Sequence, residues 1–304
     1  MTTSLRGTWF ICPTPFNREG SIDTRGLASI VDASADWGVD GITILGVMGE
    51  VASLSDEERD AVLSSVLDAA KGNLPVAVGC SSPSAVLTAQ RIAHAVSRGA
   101  SAAMVAAPTL LKDTDQIKDF FEAASRNAGV PIIVQDEPAA TGVSLPVSAL
   151  LAALDGASSA VVKLEDPPTP PKISRLLAQR EGLTVFGGLG GVSAYAELSR
   201  GAAGTMTGFA FPEILRELRT RIESKDASSA ARLFDKYLPY IAFEGQPVVG
   251  LGIRKEVLRR RGVIGDARTR ALRPHLDDVT LRELDDVLDR VGLVPERAAL
   301  MIAS

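Results

Sequence analysis

Lys163 and Glu165, two residues apart, are the side chains in this sequence whose types and spacing best suit covalent chemistry. They follow a short apolar run at 160–162 and precede Pro167-Pro168, so they lie where a predicted strand ends. Because side chains alternate between the faces of a strand, both should point to the same side. Desolvation beside an apolar wall favours a neutral amine, which can attack a carbonyl carbon. The pattern predicts either a nucleophilic lysine with an acid–base partner or a structural ion pair at a strand end.

Seven further apolar runs are the elements that must position this pair, and most of them end at a glycine or a proline. Between the runs lie segments with helical periodicity, whose starts are marked by Asp23 and by the capping box of Ser55 and Glu58. We expect a helix after each strand. The predicted strands cover residues 7–12, 41–45, 75–79, 102–107, 131–135, 160–165, 183–187 and 204–208.

Eight strand–helix units predict an α/β protein, a (β/α)8 TIM barrel over residues 1–226 that carries the active site. The strands are apolar without alternation, which indicates burial on both faces, as in a parallel sheet. A doubly wound open sheet is the alternative, but the glycine-rich segment follows the seventh strand and not the first. Beyond the barrel the strand pattern stops, and residues 227–304 predict a C-terminal helical extension.

A barrel of this kind carries its chemistry at the carboxyl ends of its strands, and suggestive residues lie at five of them, including Pro13-Thr14 after strand one. Their convergence on one concave site favours the nucleophilic interpretation of the lysine. The candidates are Gly46, Val47, Met48 and Gly49 after strand two, Gln135 and Glu137 at strand five, Lys163 and Glu165 at strand six, and Gly187 and Gly188 at strand seven.

Composition excludes several other classes of protein. The 304 residues carry a formal net charge of −5, and the one basic run, at 259–261, predicts a solvated helix end, so we expect no nucleic-acid partner. Cys12 and Cys80 form neither a disulfide framework nor a metal motif, so we expect no metal and no cofactor. The N-terminus lacks a signal-peptide core and no apolar run could span a bilayer, which predicts a cytoplasmic protein without a membrane partner.

Motifs along nearly the whole chain resemble those of the dihydrodipicolinate synthase and N-acetylneuraminate lyase family. This resemblance implies a barrel enzyme that forms a Schiff base between a lysine and a 2-oxo acid, with homotetramers as the usual assembly. The matching motifs are Thr14-Pro15-Phe16, the Gly-x-x-Gly-Glu of 46–50 with 54–59 behind it, Pro108, Pro138 with Thr141-Gly142, Lys163, residues 201–204, and the helix at 255–262.

The departures from the family pattern concern its proton relay. Val47 and Met48 replace two hydroxyl residues, and Gln135 stands where the family has its strand-five tyrosine. The second tyrosine falls on Thr109 or Leu110, and the arginine that the synthase uses for a substrate carboxylate falls on Ala140. A tyrosine–threonine–tyrosine relay therefore cannot operate, which argues against dihydrodipicolinate synthase and sialic acid lyase activity. Gln135-Asp136-x-Pro138 and Lys163-x-Glu165 are similar instead to the 2-keto-3-deoxy-L-arabonate dehydratase group.

The resemblance implies a role for each candidate. Lys163 attacks the C2 carbonyl, and the iminium withdraws electrons while a carbanion forms at C3. Backbone N–H groups of Val47 and Met48 hold the C1 carboxylate. Gln135 orients by hydrogen bonds, since an amide cannot act as a base. Proton transfer is left to Glu165, or to Glu137, which alternates with Gln135 and so also faces the site.

Gly187 and Gly188 let a substrate approach the backbone closely, or simply let the strand end pack.

The predicted function is a Schiff-base lyase that either dehydrates a 3-deoxy-2-oxo sugar acid or cleaves a substrate by retro-aldol reaction to pyruvate. Two alternatives stay open. One is a condensing aldolase like dihydrodipicolinate synthase, and the other is an inactive paralogue that only binds sugar acids.

Overall fold

A closed barrel of eight parallel strands forms the centre of the protein in the computed structural model, which describes residues 5–111, 113–159, 161–270 and 276–295. The strands pair in sequence order, and β1 closes the ring with β8. They are β1 (Gly7–Ile11), β2 (Gly41–Ile44), β3 (Val76–Gly79), β4 (Ala102–Ala106), β5 (Ile132–Asp136), β6 (Val161–Leu164), β7 (Thr184–Gly187) and β8 (Gly204–Thr207). The (β/α)8 prediction is confirmed, and the open sheet is wrong because β1 and β8 are hydrogen-bonded neighbours.

Helices cover the outside of the barrel and continue beyond it. Asp23 caps the first helix and the capping box of Ser55 and Glu58 opens the second, as predicted. The helices are α1 (Thr24–Asp36), α2 (Asp56–Ala70), α3 (Ala85–Ser97), α4 (Thr114–Ser125), α5 (Pro138–Thr141), α6 (Val147–Gly156), α7 (Thr169–Gln179), α8 (Ala194–Ser199), α9 (Pro212–Glu223), α10 (Ala227–Glu244), α11 (Gly250–Arg260) and α12 (Asp278–Val291). Among the described residues, none of these helices has the length and apolar character needed to cross a bilayer.

Strand alternation divides the apolar side chains between two layers. Trp9, Phe186 and Met206 belong to a cluster that fills the inside of the barrel. Val134 and Val162 belong to the larger core between the strands and the helices. Because both faces of β5 and β6 are buried, these strands are mostly apolar, as the sequence predicts for a parallel sheet. Their charged and amide side chains lie toward the carboxyl ends, and that is where the candidate site lies.

The C-terminal helices α10, α11 and α12 pack with α8 and α9 in a second apolar cluster. Residues 271–275 and 296–304 of the predicted extension lie outside the described residues, and its boundary at residue 227 stays a prediction. The extension also contacts the barrel's site end, since Lys255 of α11 donates to Glu50 at 2.6 Å in the loop after β2. Both side chains of this ion pair are buried.

The prediction that the basic run at 259–261 is a solvated helix end is wrong for Arg261. Its side chain is only 1% exposed and its guanidinium lies 4.5 Å from the rings of Trp37 and Phe211. It also pairs with the buried Glu213 of α9. The planar guanidinium can stack on aromatic rings and satisfy its donors at the same time, so a basic residue in a basic run becomes part of the core.

Candidate active site

Lys163 and Glu165 form a buried ion pair at the carboxyl end of β6. The side chains are 3% and 11% exposed, and Lys163 Nζ donates to Glu165 Oε2. Their neighbour Leu164 belongs to the outer core, so the alternation of the strand turns the lysine and the glutamate inward together. The carboxylate is in position to accept the proton that the ammonium must lose before it can attack a carbonyl.

Gln135 brings β5 into the same site. It lies beside Lys163 in the parallel register of β5 and β6, and its Nε2 donates to Glu165 Oε2 at 3.0 Å. The same carboxylate oxygen therefore receives hydrogen bonds from the amine and from the amide. Two donors on adjacent strands hold the carboxylate in place, which suits a group that must transfer protons at a fixed position.

Glu137, two residues after Gln135, supplies a second carboxyl group. Burial raises its pKa from 4.5 to about 7, and the negative charge of Glu165 adds to this effect. Its Oε2 accepts a hydrogen bond from the amide of Ala140 at 3.1 Å, which caps the short helix α5. A carboxyl group with a pKa near neutrality can act as acid or base at physiological pH.

The loop after β2 forms a 3-10 turn over Val47–Gly49. The amide of Gly49 donates to the carbonyl of Gly46 at 3.0 Å, which closes the turn. The N–H groups of Val47 and Met48 lie at the start of the turn, and among the described residues neither donates a loop or cap hydrogen bond to the backbone. The Met48 side chain packs against the apolar cluster inside the barrel, which places this loop over the barrel mouth.

A cavity of about 140 Å³ opens between this loop and β5, and its lining includes Gly46, Val47, Met104, Gln135 and Thr141. A larger cavity of about 320 Å³ is lined by residues of α2 and α3, and its lining includes none of the candidate residues. Lys163 and Glu165 do not line the smaller cavity, but Gln135 lines it and donates a hydrogen bond to Glu165, so this cavity adjoins the ion pair. Among the described residues, no group of three or more His, Cys, Asp or Glu side chains could hold a metal ion.

Gly187 and Gly188, at the end of β7, have different surroundings: one lies against a helix of the outer layer and the other against Glu165. A Cβ atom on Gly188 would lie 2.3 Å from Glu165 Cγ, so the absence of a side chain there lets Glu165 occupy the site. A Cβ atom on Gly187 would instead lie 1.9 Å from Glu197 Oε2, and Glu197 belongs to α8 in the outer layer. Gly188 therefore borders the candidate site, whereas the missing side chain of Gly187 makes room for a helix residue.

Glu197 is a buried carboxyl group behind the site. Thr169 donates to its Oε1, and its Oε2 has no hydrogen-bond partner among the described residues. Burial raises its pKa from 4.5 to about 7. The folded protein therefore binds this proton more tightly than the unfolded chain does. Part of the free energy of unfolding is lost as the pH rises from about 4.5 through about 7.

Glu197→Gln should abolish this pH dependence, because an amide does not ionise and its oxygen can still accept from Thr169. Relative to the unsubstituted protein, we expect little change in unfolding free energy at pH 5 and a gain of about 2 kcal/mol at pH 8. Urea unfolding of both proteins at pH 5 and at pH 8 measures the change in unfolding free energy. The control is Glu223→Gln, a half-exposed carboxyl on α9. An equal effect of Glu197→Gln at both pH values would contradict the assignment.

Two clusters near the site were not identified from the sequence. Lys172 donates to Asp166 at 2.8 Å and also contacts Asp136, so it joins the ends of β5 and β6 from the outside. Arg254 of α11 reaches the loop after β2, where its Nη1 lies 3.0 Å from Met48 Sδ. The available signal was the charged triplet at 254–256 between the apolar residues Ile253 and Val257, since all three charged residues prove to be buried.

Comparison with known proteins identifies the family of this chain. The model of the Dihydrodipicolinate synthetase family matches residues 4–281. L-2-keto-3-deoxyarabonate dehydratase of Azospirillum brasilense is 31% identical over 291 residues, 93% of each chain. 4-Hydroxy-tetrahydrodipicolinate synthase of Xanthomonas axonopodis pv. citri (strain 306) is 30% identical over 268 residues, 86% of each chain. The crystal structure of dihydrodipicolinate synthase from Rhodopseudomonas palustris has a TM-score of 0.89 and 33% identity, covering 95% of this chain and 99% of that one. The chain therefore belongs to the dihydrodipicolinate synthetase family, and it is an enzyme of the lyase and aldolase class.

Proposed function

We propose that this enzyme dehydrates a 3-deoxy-2-oxo sugar acid through a Schiff base on Lys163. The observation that carries the proposal is the buried contact of Lys163 with Glu165, which also accepts from Gln135. The arrangement supplies a nucleophile and a carboxylate on one face of the barrel. The likeness to an L-2-keto-3-deoxyarabonate dehydratase supports dehydration over retro-aldol cleavage.

The reaction begins when the unprotonated amine of Lys163, which lies against Glu165, attacks the C2 carbonyl of the substrate. Loss of water from the carbinolamine leaves an iminium. A carboxylate then removes a proton from C3, and the electron pair moves into the C2–C3 bond to form an enamine. The enamine expels the C4 hydroxyl group, which takes a proton from the carboxyl group and leaves as water. Hydrolysis of the resulting iminium releases the unsaturated 2-oxo acid and restores the amine.

Glu165 is the first candidate for the proton at C3, because its oxygen lies against the reacting amine. Glu137 is the second candidate, since its pKa of about 7 keeps part of its population protonated near neutral pH. The N–H groups of Val47 and Met48 hold the C1 carboxylate and orient C2 toward Lys163. Gln135 fixes Glu165 by a hydrogen bond but does not itself transfer protons.

Borohydride trapping tests the Schiff base. Reduction in the presence of a 3-deoxy-2-oxo sugar acid should leave a stable adduct on Lys163, located by mass spectrometry of peptides. Lys172 is an internal control, because it too is largely buried but pairs with two aspartates outside the strand-end site. Product analysis over a panel of 2-oxo acids then separates dehydration from release of pyruvate. Absence of any adduct would favour an inactive paralogue that only binds sugar acids.

We expect negligible condensation of pyruvate with aspartate semialdehyde by the purified protein. Gln135 has no ionisable hydroxyl, Ala140 has no positive charge, and the Leu110 side chain is exposed and apolar. A coupled assay of the condensation product measures this activity. Borohydride trapping of pyruvate on Lys163 is the control, because it shows that the protein can still form a Schiff base. Robust condensation would show that another group replaces the tyrosine relay, and the alternative of a condensing aldolase would then prevail.

We also propose that the enzyme is a cytoplasmic homotetramer, as the family resemblance implies. Light scattering coupled to gel filtration tests the assembly. A single peak at the mass of one chain would contradict it.

A further inference from the structure

Arg254 occupies a largely buried position at the rim of the barrel mouth, with its side chain 10% exposed. Its Nε donates to Glu244 Oε1 at 2.7 Å, and its Nη1 lies 3.0 Å from Met48 Sδ. Among the described residues, its Nη2 donates no hydrogen bond. A thioether is a weak acceptor, so the outer edge of this guanidinium keeps donor capacity that the protein does not use.

Glu244 holds the guanidinium in this orientation. Its side chain is fully buried, and it accepts from the amide of Ala210 at 3.1 Å and from the Tyr240 hydroxyl at 2.7 Å. The carboxylate is thus fixed by α10 and by the segment after β8, and it binds only the Nε side of Arg254. The Nη groups consequently point away from Glu244, toward the loops after β2 and β7.

Glycine at position 190 makes room for Arg254 beside the candidate site. A Cβ atom on Gly190 would lie 2.8 Å from Arg254 Nη2, so any other residue there would displace the guanidinium. Gly188, two residues earlier, borders Glu165. Arg254 therefore lies next to the loop that contacts the acid–base group and next to the loop proposed to bind the C1 carboxylate.

We propose that Arg254 binds the hydroxyl groups on the substrate's tail, beyond C3, and so determines the preference for sugar acids over shorter or apolar 2-oxo acids. This proposal rests on the proposed function. Hydroxyl groups fit better than a second carboxylate because the positive charge of Arg254 is already paired with Glu244.

Matched five-carbon acids test the proposal without requiring turnover. The probes are 2-oxopentanoate, 5-hydroxy-2-oxopentanoate and 2-oxoglutarate, none of which carries a C4 hydroxyl group to eliminate. The concentration that gives half-maximal borohydride trapping on Lys163 measures the affinity for each acid. We expect the unsubstituted enzyme to prefer the 5-hydroxy acid over 2-oxopentanoate about tenfold, as one hydrogen bond to a charged group allows.

Two variants remove the interaction in different ways. Arg254→Lys keeps a positive charge for Glu244 but loses the planar fork. The double variant Arg254→Met with Glu244→Gln removes both charges and avoids a buried carboxylate without its partner. In both, the preference for the 5-hydroxy acid should fall to within about twofold. Arg259→Lys is the control, because this arginine lies on the same helix with a half-exposed side chain, and it should keep the preference. Thermal unfolding followed by circular dichroism verifies that each variant is folded.

The outcomes separate this proposal from the proposed function. A preference for the 5-hydroxy acid that survives in both variants would overturn the role of Arg254. The role would also be overturned if the unsubstituted enzyme showed no preference for the 5-hydroxy acid. A preference for 2-oxoglutarate that disappears in the variants would mean that Arg254 binds a second substrate carboxylate, and it would overturn the proposal that Arg254 binds hydroxyl groups. If the unsubstituted enzyme forms no adduct with any acid, the Schiff-base function itself fails, and the assignment of Arg254 fails with it.

Discussion

Lys163→Ala is expected to abolish turnover while leaving the barrel folded. The substitution removes the amine that forms the proposed covalent intermediate, and neither contacting side chain can form a Schiff base in its place, since Gln135 is an amide and Glu165 a carboxylate. Loss of a covalent catalyst should lower kcat by roughly four orders of magnitude or more. Steady-state kinetics with a 3-deoxy-2-oxo sugar acid measure this loss, and borohydride should no longer attach substrate to the protein.

Controls distinguish loss of chemistry from loss of structure. Removing one member of a buried ion pair leaves the other without its partner, so Lys163→Ala could also lower stability. The double variant Lys163→Met with Glu165→Gln removes both charges while keeping the side-chain volumes close, and it should be inactive but folded. Circular dichroism and thermal unfolding verify the fold of each variant. Activity of Lys163→Ala within about tenfold of the unsubstituted enzyme would rule out a covalent mechanism through this residue.

Glu165→Gln is expected to lower kcat by roughly two to four orders of magnitude while borohydride trapping still works. The amide keeps the size of the side chain, and its oxygen can still accept from Gln135. It cannot take the proton from C3 or return it to the leaving hydroxyl group. The Schiff base should therefore form and accumulate, because formation of the iminium depends on the amine, whereas the later steps need the carboxyl group.

Three results would distinguish the possible roles of this carboxyl group. Loss of both trapping and turnover in Glu165→Gln would mean that Glu165 acts by positioning or deprotonating Lys163. An unchanged kcat would transfer the acid–base role to Glu137 and remove the main support for the dehydratase proposal. The matched variant is Glu137→Gln. If Glu137 acts as an acid, kcat should fall as the pH rises through about 7, and this variant should lose that dependence.

The sequence by itself determined the barrel, and it predicted a candidate site at the carboxyl ends of the strands. Eight apolar strands, each closed by a glycine, a proline or a polar residue, can bury both faces only in a parallel sheet covered by helices. The inward direction of Lys163 and Glu165 follows from the two-residue period of a strand, which is a local property of the backbone. Local periodicity and capping also located the helices, with ends that differ from the structure by a few residues.

Only the tertiary structure decided which residues meet across elements. The bond between Gln135 and Glu165 depends on the register of β5 and β6, and the different surroundings of Gly187 and Gly188 depend on how α8 packs behind β7. Burial of Arg254 and Arg261 depends on partners ten to forty-eight positions away in the sequence. Local patterns favour a solvated arginine because burial of a charge is costly, and the cost is offset only when a distant carboxylate is folded against it.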